Sequence, residues 1–367
     1  MNGPVRAVID RTALRANLRA VRRHAPGAQV MAVIKANAYG HGMIAVAQTL
    51  AAAPVDSRAD AFAVARLEEA LELRAAGITQ SVTLLEGVFS PRQLQRAAAH
   101  ALDIVVHDAS QLAWLEEYTG THRFTAWLKI DTGMNRLGFR PEQVGAVRAR
   151  LQALRTPLAE LRLMTHLARA DETGCDMTVE QLERFAGVLS AWPGTKPLTS
   201  IANSAGVFLW PQANANWVRP GISLYGASPD STRSAESFGL APVMTLDSQV
   251  IALRNVARGE SVGYGGTWRA ARETRIAIVA GGYADGVPRH LPSGAPVLID
   301  GRRAPLAGRV SMDMITVDVT DLPQVGVGTA ARLWGAGLPV DEVAAAAGTI
   351  SYEVLCGLGR RVHVELR

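Results

Sequence analysis

The sequence predicts an α/β chain in two parts, an N-terminal (β/α)8 TIM-like barrel and a C-terminal mainly β domain. Two observations carry this. From about residue 30 to 226, eight short runs rich in Val, Ile and Leu alternate with helical patterns, as strands covered on both faces by helices require. Beyond about residue 236 the texture changes to strand-like runs in turn-rich sequence, which places the division at 1–236 and 237–367. No stretch is apolar for the roughly 18 residues that a membrane span needs.

The expected barrel strands are Val30–Ile34, Ala61–Ala65, Val82–Glu86, Asp103–His107, Thr125–Ile130, Glu160–His166, Leu198–Ala202 and Val218–Leu224. Between them, Leu67–Ala76 carries a leucine stripe and stops at Gly77, a C-terminal cap. Ser90-Pro91 is an N-cap followed by proline at the first helical position, and Pro141–Leu154 also begins with proline. Thr178 with Gln181 three residues on reads as a capping box that opens Val179–Leu189. In the second part, strands are expected at Val243–Arg254, Arg275–Ala280, Ala295–Ile299, Met314–Val319 and Ala331–Leu333, with one helix at Val340–Ala346. Asp300-Gly301 between apolar runs signals a hairpin.

Composition narrows the function classes. The net charge of +5 is mild and spread along the chain, which speaks against a nucleic-acid partner. Two cysteines, Cys175 and Cys356, exclude a disulfide scaffold and fit a reducing cytoplasm. The segment Met1–Asp10 has no apolar signal core, which also points to the cytoplasm. The spacing of His, Cys and carboxylates matches no metal motif, so no metal is expected. Lysine occurs only at Lys35, Lys129 and Lys196, and every other basic side chain is arginine. A chain that meets its surface needs with arginine places lysine where an amine is chemically required, because an amine can lose its proton and attack a carbonyl.

Chemistry gathers at the C-terminal ends of the expected barrel strands, the face on which such barrels carry their active sites. Lys35 follows the first strand, Lys129 and Arg136 lie at and after the fifth, and His166 ends the sixth. Asn203 and Ser204 follow the seventh, and Arg219 and Gly221 fall in the last strand and at its end. Around Lys35 the segment Val33-Ile34-Lys35-Ala36-Asn37-Ala38-Tyr39-Gly40-His41-Gly42 resembles the cofactor-lysine signature of the alanine racemases, barrel-type pyridoxal phosphate enzymes. The resemblance extends through Lys129–Gly138, Ser200–Ser204, Arg219–Gly226, Val262–Gly266, Gly282–Gly286, Ser311–Met314 and Ser351–Glu353, in order along nearly the whole chain.

The resemblance implies interconversion of L-alanine and D-alanine with pyridoxal 5'-phosphate on Lys35. Racemisation needs an electron sink, which the cofactor provides, and two bases on opposite faces of the α-carbon. By resemblance, Lys35 serves the D-alanine face and Tyr264 the L-alanine face. A phenol titrating near 10 is a poor base at neutral pH, and His166 and Arg219 are the resembling helpers. Arg219 would face the pyridine nitrogen, where a guanidinium cannot accept the nitrogen's proton. Arg136 and the amide of Met312 would hold the substrate carboxylate. Tyr39, Asn203, Ser204, Gly221, Ile222 and Tyr352 would contact the cofactor, chiefly its phosphate. Lys129, a second cation beside Arg136, matches a lysine that relatives can carbamylate. Asp171, Tyr264, Tyr283, Arg289, Arg309, Ile350 and Tyr352 match the access channel, and Ser311 stands where some relatives carry cysteine. The implied assembly is a two-fold homodimer in which Tyr264 arrives from the other chain.

Taken singly, several of these residues read blandly. A tyrosine beside a glycine turn is ordinarily packing, a histidine at a strand end is ordinarily structural, and Ser204 at a helix start is a plain N-cap. Three other readings are a racemase of broader specificity, a barrel-type amino-acid decarboxylase and a non-catalytic pyridoxal phosphate carrier. The carrier would have no use for the second domain that holds Tyr264, Met312 and Tyr352.

Overall fold

The structure, a computed structural model, describes residues 3–367. Its first strand, β1 (Arg6–Ile9), lies outside the barrel. β1 pairs antiparallel with Met244–Asp247 and parallel with His363–Leu366, so the start of the chain is built into the sheet of the second half. The helix Arg11–His24 comes next, capped by Asp10, whose carboxylate accepts from the amides of Thr12 and Ala13.

The barrel closes from eight parallel strands: β2 (Gln29–Val33), β3 (Ala61–Val64), β4 (Ser81–Leu84), β5 (Asp103–Val106), β6 (Thr125–Lys129), β7 (Glu160–Met164), β8 (Thr199–Ser200) and β9 (Trp217–Val218). β9 returns to pair with β2. All eight coincide with expected runs, and the last two are much shorter than expected. Pro220 offers no amide to a ladder, and Gly221–Gly226 turns away through a 3-10 segment at Ile222–Tyr225. Arg219 and Gly221 therefore stand beyond the end of β9.

The capping box at Thr178 is not formed. The helix runs Asp176–Ser190 from Cys175, which leaves Thr178 inside it. Gln181 instead accepts from the amide of Ala168 and donates to the His166 carbonyl and to Thr132 Oγ1. A glutamine three residues after a threonine thus serves the barrel rim and not its own helix. Ser90 does cap Pro91–Ala99 as expected.

In the second half, β10 (Met244–Val256) is the long central strand, flanked by β1, Ala330–Trp334 and Thr274–Ala280. The Asp300-Gly301 hairpin forms with both residues at positive φ, between Pro296–Ile299 and Arg302–Pro305. The helix Val340–Ala346 is present, and a second one, Ser351–Cys356, was not expected. One apolar core runs through the barrel and the second sheet. Asn17 fastens the junction: it donates to the carbonyls of Leu224 and Ala241 and accepts from the Ala241 amide. Among the described residues, no helix is long and apolar enough to cross a membrane.

Candidate active site

A cavity of about 410 Å³ opens at the C-terminal ends of the barrel strands. The sequence-derived candidates Lys35, Tyr39, Lys129, Arg136, His166, Asn203, Ser204, Arg219, Gly221 and Tyr352 all line it, although they come from separate barrel connections and the second half of the chain.

Lys35 follows β2 and begins an unusual stretch of backbone. Ala36, Asn37, Ala38 and Tyr39 all have φ between 53° and 54°, one turn of left-handed helix made without glycine. Each L-residue costs roughly 1–2 kcal/mol in that conformation, so the turn persists only because its surroundings over-determine it. The Ala36 amide donates to Glu69 Oε1 at 2.6 Å, and Glu69 Oε2 also accepts from the amides of Ala65 and Arg66. Asn37 accepts from the Met43 amide. His41, fully buried, holds the carbonyls of Ala38 and Tyr39. Tyr39 stacks on Tyr225 at 4.8 Å and on Tyr352 at 5.7 Å, and Tyr225 donates its hydroxyl to the Val33 carbonyl. Burial raises the Tyr39 hydroxyl and pushes Tyr352 up to about 12, so both are neutral donors.

Beside Tyr39 lies a cluster of amides and hydroxyls. The amides of Gly221 and Ser223 converge on Ser204 Oγ, and the Ser223 hydroxyl meets the same oxygen. Asn203, not Ser204, caps the short helix Ser204–Leu209, through its side chain on the Gly206 amide. A Cβ at position 221 would come within 2.5 Å of the Tyr39 hydroxyl, so only glycine allows the close approach. Ile222 is fully buried and does not line the cavity.

The cavity is strongly cationic. Arg219 is buried, and its guanidinium donates to Ser200 Oγ and to the Thr165 and Ile201 carbonyls. None of these partners carries charge. Burial lowers its pKa to about 10, which keeps it protonated at neutral pH. Lys129 is brought down to about 8 by burial, then by the positive charges of Arg219, Arg136 and Lys35. Burial and the same cations hold His166 far below the usual histidine range, so its ring is neutral. Arg136 sits on a loop anchored by Asp131, whose carboxylate accepts from the amides of Gly133 and Asn135. Glu86 is the one acidic side chain in the lining, and it pairs with Arg66.

The remaining candidates stand apart within a single chain. Tyr264 is 68% exposed on a turn between Ser261–Val262 and Trp268–Arg269. Met312 is 51% exposed, and Tyr283, Arg289, Arg309, Asp171 and Ile350 also lie outside the buried core. None of them lines the cavity. Tyr283 and Met312 belong to one corner, where the amides of Tyr283 and Ala284 donate to the carbonyls of Ser311 and Met312. Arg309 lies against the Tyr264 turn at Gly263 and Gly265. Sequence reasoning missed Glu69, Glu86, Gln181 and Tyr225. Their roles depend on three-dimensional neighbours; Tyr225 in the Arg219–Gly226 motif and His41 inside the lysine motif were marked only by the motifs that contain them.

An amine, a cluster of backbone amides and hydroxyls, and a ring of cations at the rim of a (β/α)8 barrel, with a β domain attached, are the architecture of a barrel-type pyridoxal phosphate enzyme. Comparison with known proteins specifies the kind. The family description "Alanine racemase, N-terminal domain" matches residues 9–229, and "Alanine racemase, C-terminal domain" matches 243–366. The alanine racemase of Azoarcus sp. (strain BH72) is 52% identical over 360 residues, covering 98% of both chains. That of Shewanella amazonensis is 49% identical over 359 residues, again 98% of each. The crystal structure of biosynthetic alanine racemase from Pseudomonas aeruginosa superposes with a TM-score of 0.95 at 47% identity, covering 100% of each chain. The alanine racemase from Bartonella henselae with covalently bound pyridoxal phosphate gives 0.88 at 30% identity, also with 100% of each chain covered. This chain belongs to the alanine racemase family.

Proposed function

We propose that this chain interconverts L-alanine and D-alanine, with pyridoxal 5'-phosphate bound covalently on Lys35. The observation that carries the reading is the cavity itself: Lys35 shares it with the Ser204–Gly221 cradle and with Arg219, whose partners are all uncharged. The residues fit the cofactor. The cradle supplies amides and hydroxyls for a phosphate, the glycine at 221 leaves the space, and the surplus of cations suits a phosphate and a substrate carboxylate together.

When bound, the cofactor supplies an electron sink for the electrons left behind as the α-proton departs. Lys35 would hold it and, as a free amine, would take or return the α-proton on the D-alanine face. Tyr264 does the same on the L-alanine face. Ser204, the amides of Gly221 and Ile222, and the hydroxyls of Tyr39 and Tyr352 hold the phosphate, beside Asn203. Arg219 would face the ring nitrogen, and its lasting charge would keep a proton off that atom. The neutral His166 would contact the ring. Arg136 and the Met312 amide orient the substrate carboxylate. Lys129, with its depressed pKa, has the free amine that adds to carbon dioxide, giving a carbamate and releasing one proton; the negative carbamate would then orient Arg136.

Tyr264 and Met312 do not reach their own chain's cavity, so the complete site needs a second copy. A two-fold homodimer would bring Tyr264, Tyr283, Met312 and Ile350 of one subunit over the barrel mouth of the other. Together with Asp171, Arg289 and Arg309 these residues would narrow the access channel and favour a small side chain. The division at 1–236 and 237–367 has the same sense: the barrel holds the cofactor and the second part brings Tyr264, with β1 joining the second sheet. We place the enzyme in the cytoplasm, in accord with two free cysteines.

Chiral chromatography of L-alanine incubated with the protein and cofactor, beside L-serine, L-lysine and L-arginine, tests the reading. Near-equal enantiomers, with alanine fastest, are expected. Comparable rates on lysine or arginine would replace alanine racemase with a broad-specificity racemase, and a cofactor-loaded protein that turns over nothing would replace it with a carrier.

A further inference from the structure

We infer that His41 and Glu69 are positioning residues that hold the left-handed turn Ala36–Tyr39, and through it set Lys35 and the Tyr39 hydroxyl in the cavity. The inference rests on the proposed use of Lys35 and Tyr39 for the cofactor. Four consecutive L-residues at positive φ form an element that isolated chain does not adopt. It lies between the two groups that must meet opposite ends of one ligand. Whatever fixes the turn fixes their relative placement.

Two side chains from different places tie its two ends. At the Lys35 end, Glu69 reaches from the helix Leu67–Ala75 to the Ala36 amide, while its other oxygen anchors the end of β3 through Ala65 and Arg66. The lysine turn and the neighbouring barrel connection thus share one carboxylate. At the Tyr39 end, His41 Nδ1 faces two carbonyls, Ala38 at 3.0 Å and Tyr39 at 2.9 Å, so Nδ1 carries the hydrogen and donates. Nε2 is buried without any partner, which leaves the imidazole no other polar task. The ring stacks on Tyr225 at 4.5 Å, and Tyr225 stacks in turn on Tyr39. Gly40 ends the turn at φ +80°, in a place where a Cβ would strike the Leu355 carbonyl at 2.2 Å, so glycine is required where the turn meets the helix of Tyr352.

The two anchors have separable signatures. Glu69 acts next to Lys35, and His41 acts next to the phosphate hydroxyl. Dissociation constants are measured on the full chain for pyridoxal 5'-phosphate and for pyridoxine 5'-phosphate, which lacks the aldehyde and cannot bond a lysine. Thermal melting of the cofactor-free protein is followed in parallel. His41→Leu is expected to weaken both ligands by about tenfold or more, the scale of a buried hydrogen bond lost. His41→Asn keeps a donor near the Nδ1 position and is expected to stay within about threefold. Glu69→Ala is expected to weaken pyridoxal phosphate by about tenfold and to leave pyridoxine phosphate within about threefold. A fall in melting temperature with both dissociation constants unchanged in His41→Leu and Glu69→Ala would overturn the inference, as would equal impairment of His41→Asn and His41→Leu. If His41→Leu does not fold, Glu69→Ala alone decides. A wild-type chain that binds pyridoxal phosphate without racemising alanine would sink the functional reading, and the binding pattern would still be readable.

Discussion

At the scale of single residues, the two proposed bases sit in opposite circumstances. Lys35 faces a cavity crowded with cations, and Tyr264 stands exposed on a hairpin turn. Opposite faces of the α-carbon need separate bases, so removing one leaves half of the chemistry intact. Tyr264→Phe is expected to lower racemisation by roughly 10²–10⁴-fold, the worth of a positioned acid–base group. In heavy water the same variant should still exchange the α-hydrogen of D-alanine, through Lys35, and not that of L-alanine; nuclear magnetic resonance reads both. Equal loss of exchange from the two enantiomers would contradict the assignment of faces. Lys129 carries a second expectation at this scale. Its amine titrates at about 8 because burial and three neighbouring cations disfavour the ammonium. Raising pH through that value frees the amine, so carbamylation should increase with pH in carbon-dioxide-containing buffer. Gentle intact-mass spectrometry should show the carbon dioxide increment on the wild type and not on Lys129→Arg. An unmodified mass well above that pH would remove the carbamate from the account.

Single residues are also where the sequence is easiest to read. Lys35, Lys129, Arg136, His166 and Arg219 stand at or just beyond strand ends that the Val, Ile and Leu runs reveal, and all of them reach one cavity. Glu69 and Gln181 are invisible for the opposite reason. Each lies on a helix whose local pattern explains it, as an ordinary helix residue or as a capping partner, and each also reaches a different barrel connection, Glu69 at the Ala36 amide and Gln181 at Thr132. Nothing in a linear pattern distinguishes those uses.

At the scale of elements, the turns after the strands do more than the strands. β8 and β9 contribute two residues each, and the proposed phosphate cradle is made by the residues just beyond their ends. Pro220 stops the ladder, Gly221 allows the close approach and Ser223 turns its amide and hydroxyl toward Ser204. The expectation that Val218–Leu224 is strand fails because the Pro-Gly pair inside that apolar run outweighs its hydrophobicity. Gly221→Ala tests the element. With a Cβ 2.5 Å from the Tyr39 hydroxyl, either that side chain or the cradle must shift. The dissociation constant for pyridoxal phosphate should rise by about tenfold or more, while the melting temperature of the cofactor-free protein changes little. Unchanged cofactor affinity would move the phosphate elsewhere.

At the scale of the whole molecule, the chain begins in one sheet, builds a barrel and returns. β1 lies between β10 and His363–Leu366 in the second sheet, so both ends of the chain are held by the half that carries Tyr264. A short strand before the first helix gives no periodic signal, and its partners lie at the far end of the sequence, at Met244–Asp247 and His363–Leu366. The same arrangement leaves Tyr264, Tyr283, Met312 and Ile350 exposed on a single copy, although these are the large apolar and aromatic side chains that a subunit interface would cover. The sequence resemblance anticipates a shared site, and the separation of Tyr264 from its own cavity supports it.

The measurement that tests this account most directly joins two inactive chains. Lys35→Ala and Tyr264→Phe are co-expressed with different tags, and the protein that carries both tags is purified and assayed for racemisation. In a two-fold dimer with shared sites, one cavity of that hybrid has both defects and the other has neither, so it should recover about half of the wild-type rate per dimer. A hybrid no more active than either parent, or the absence of any doubly tagged protein, would show that Lys35 and Tyr264 do not complete one site between two copies.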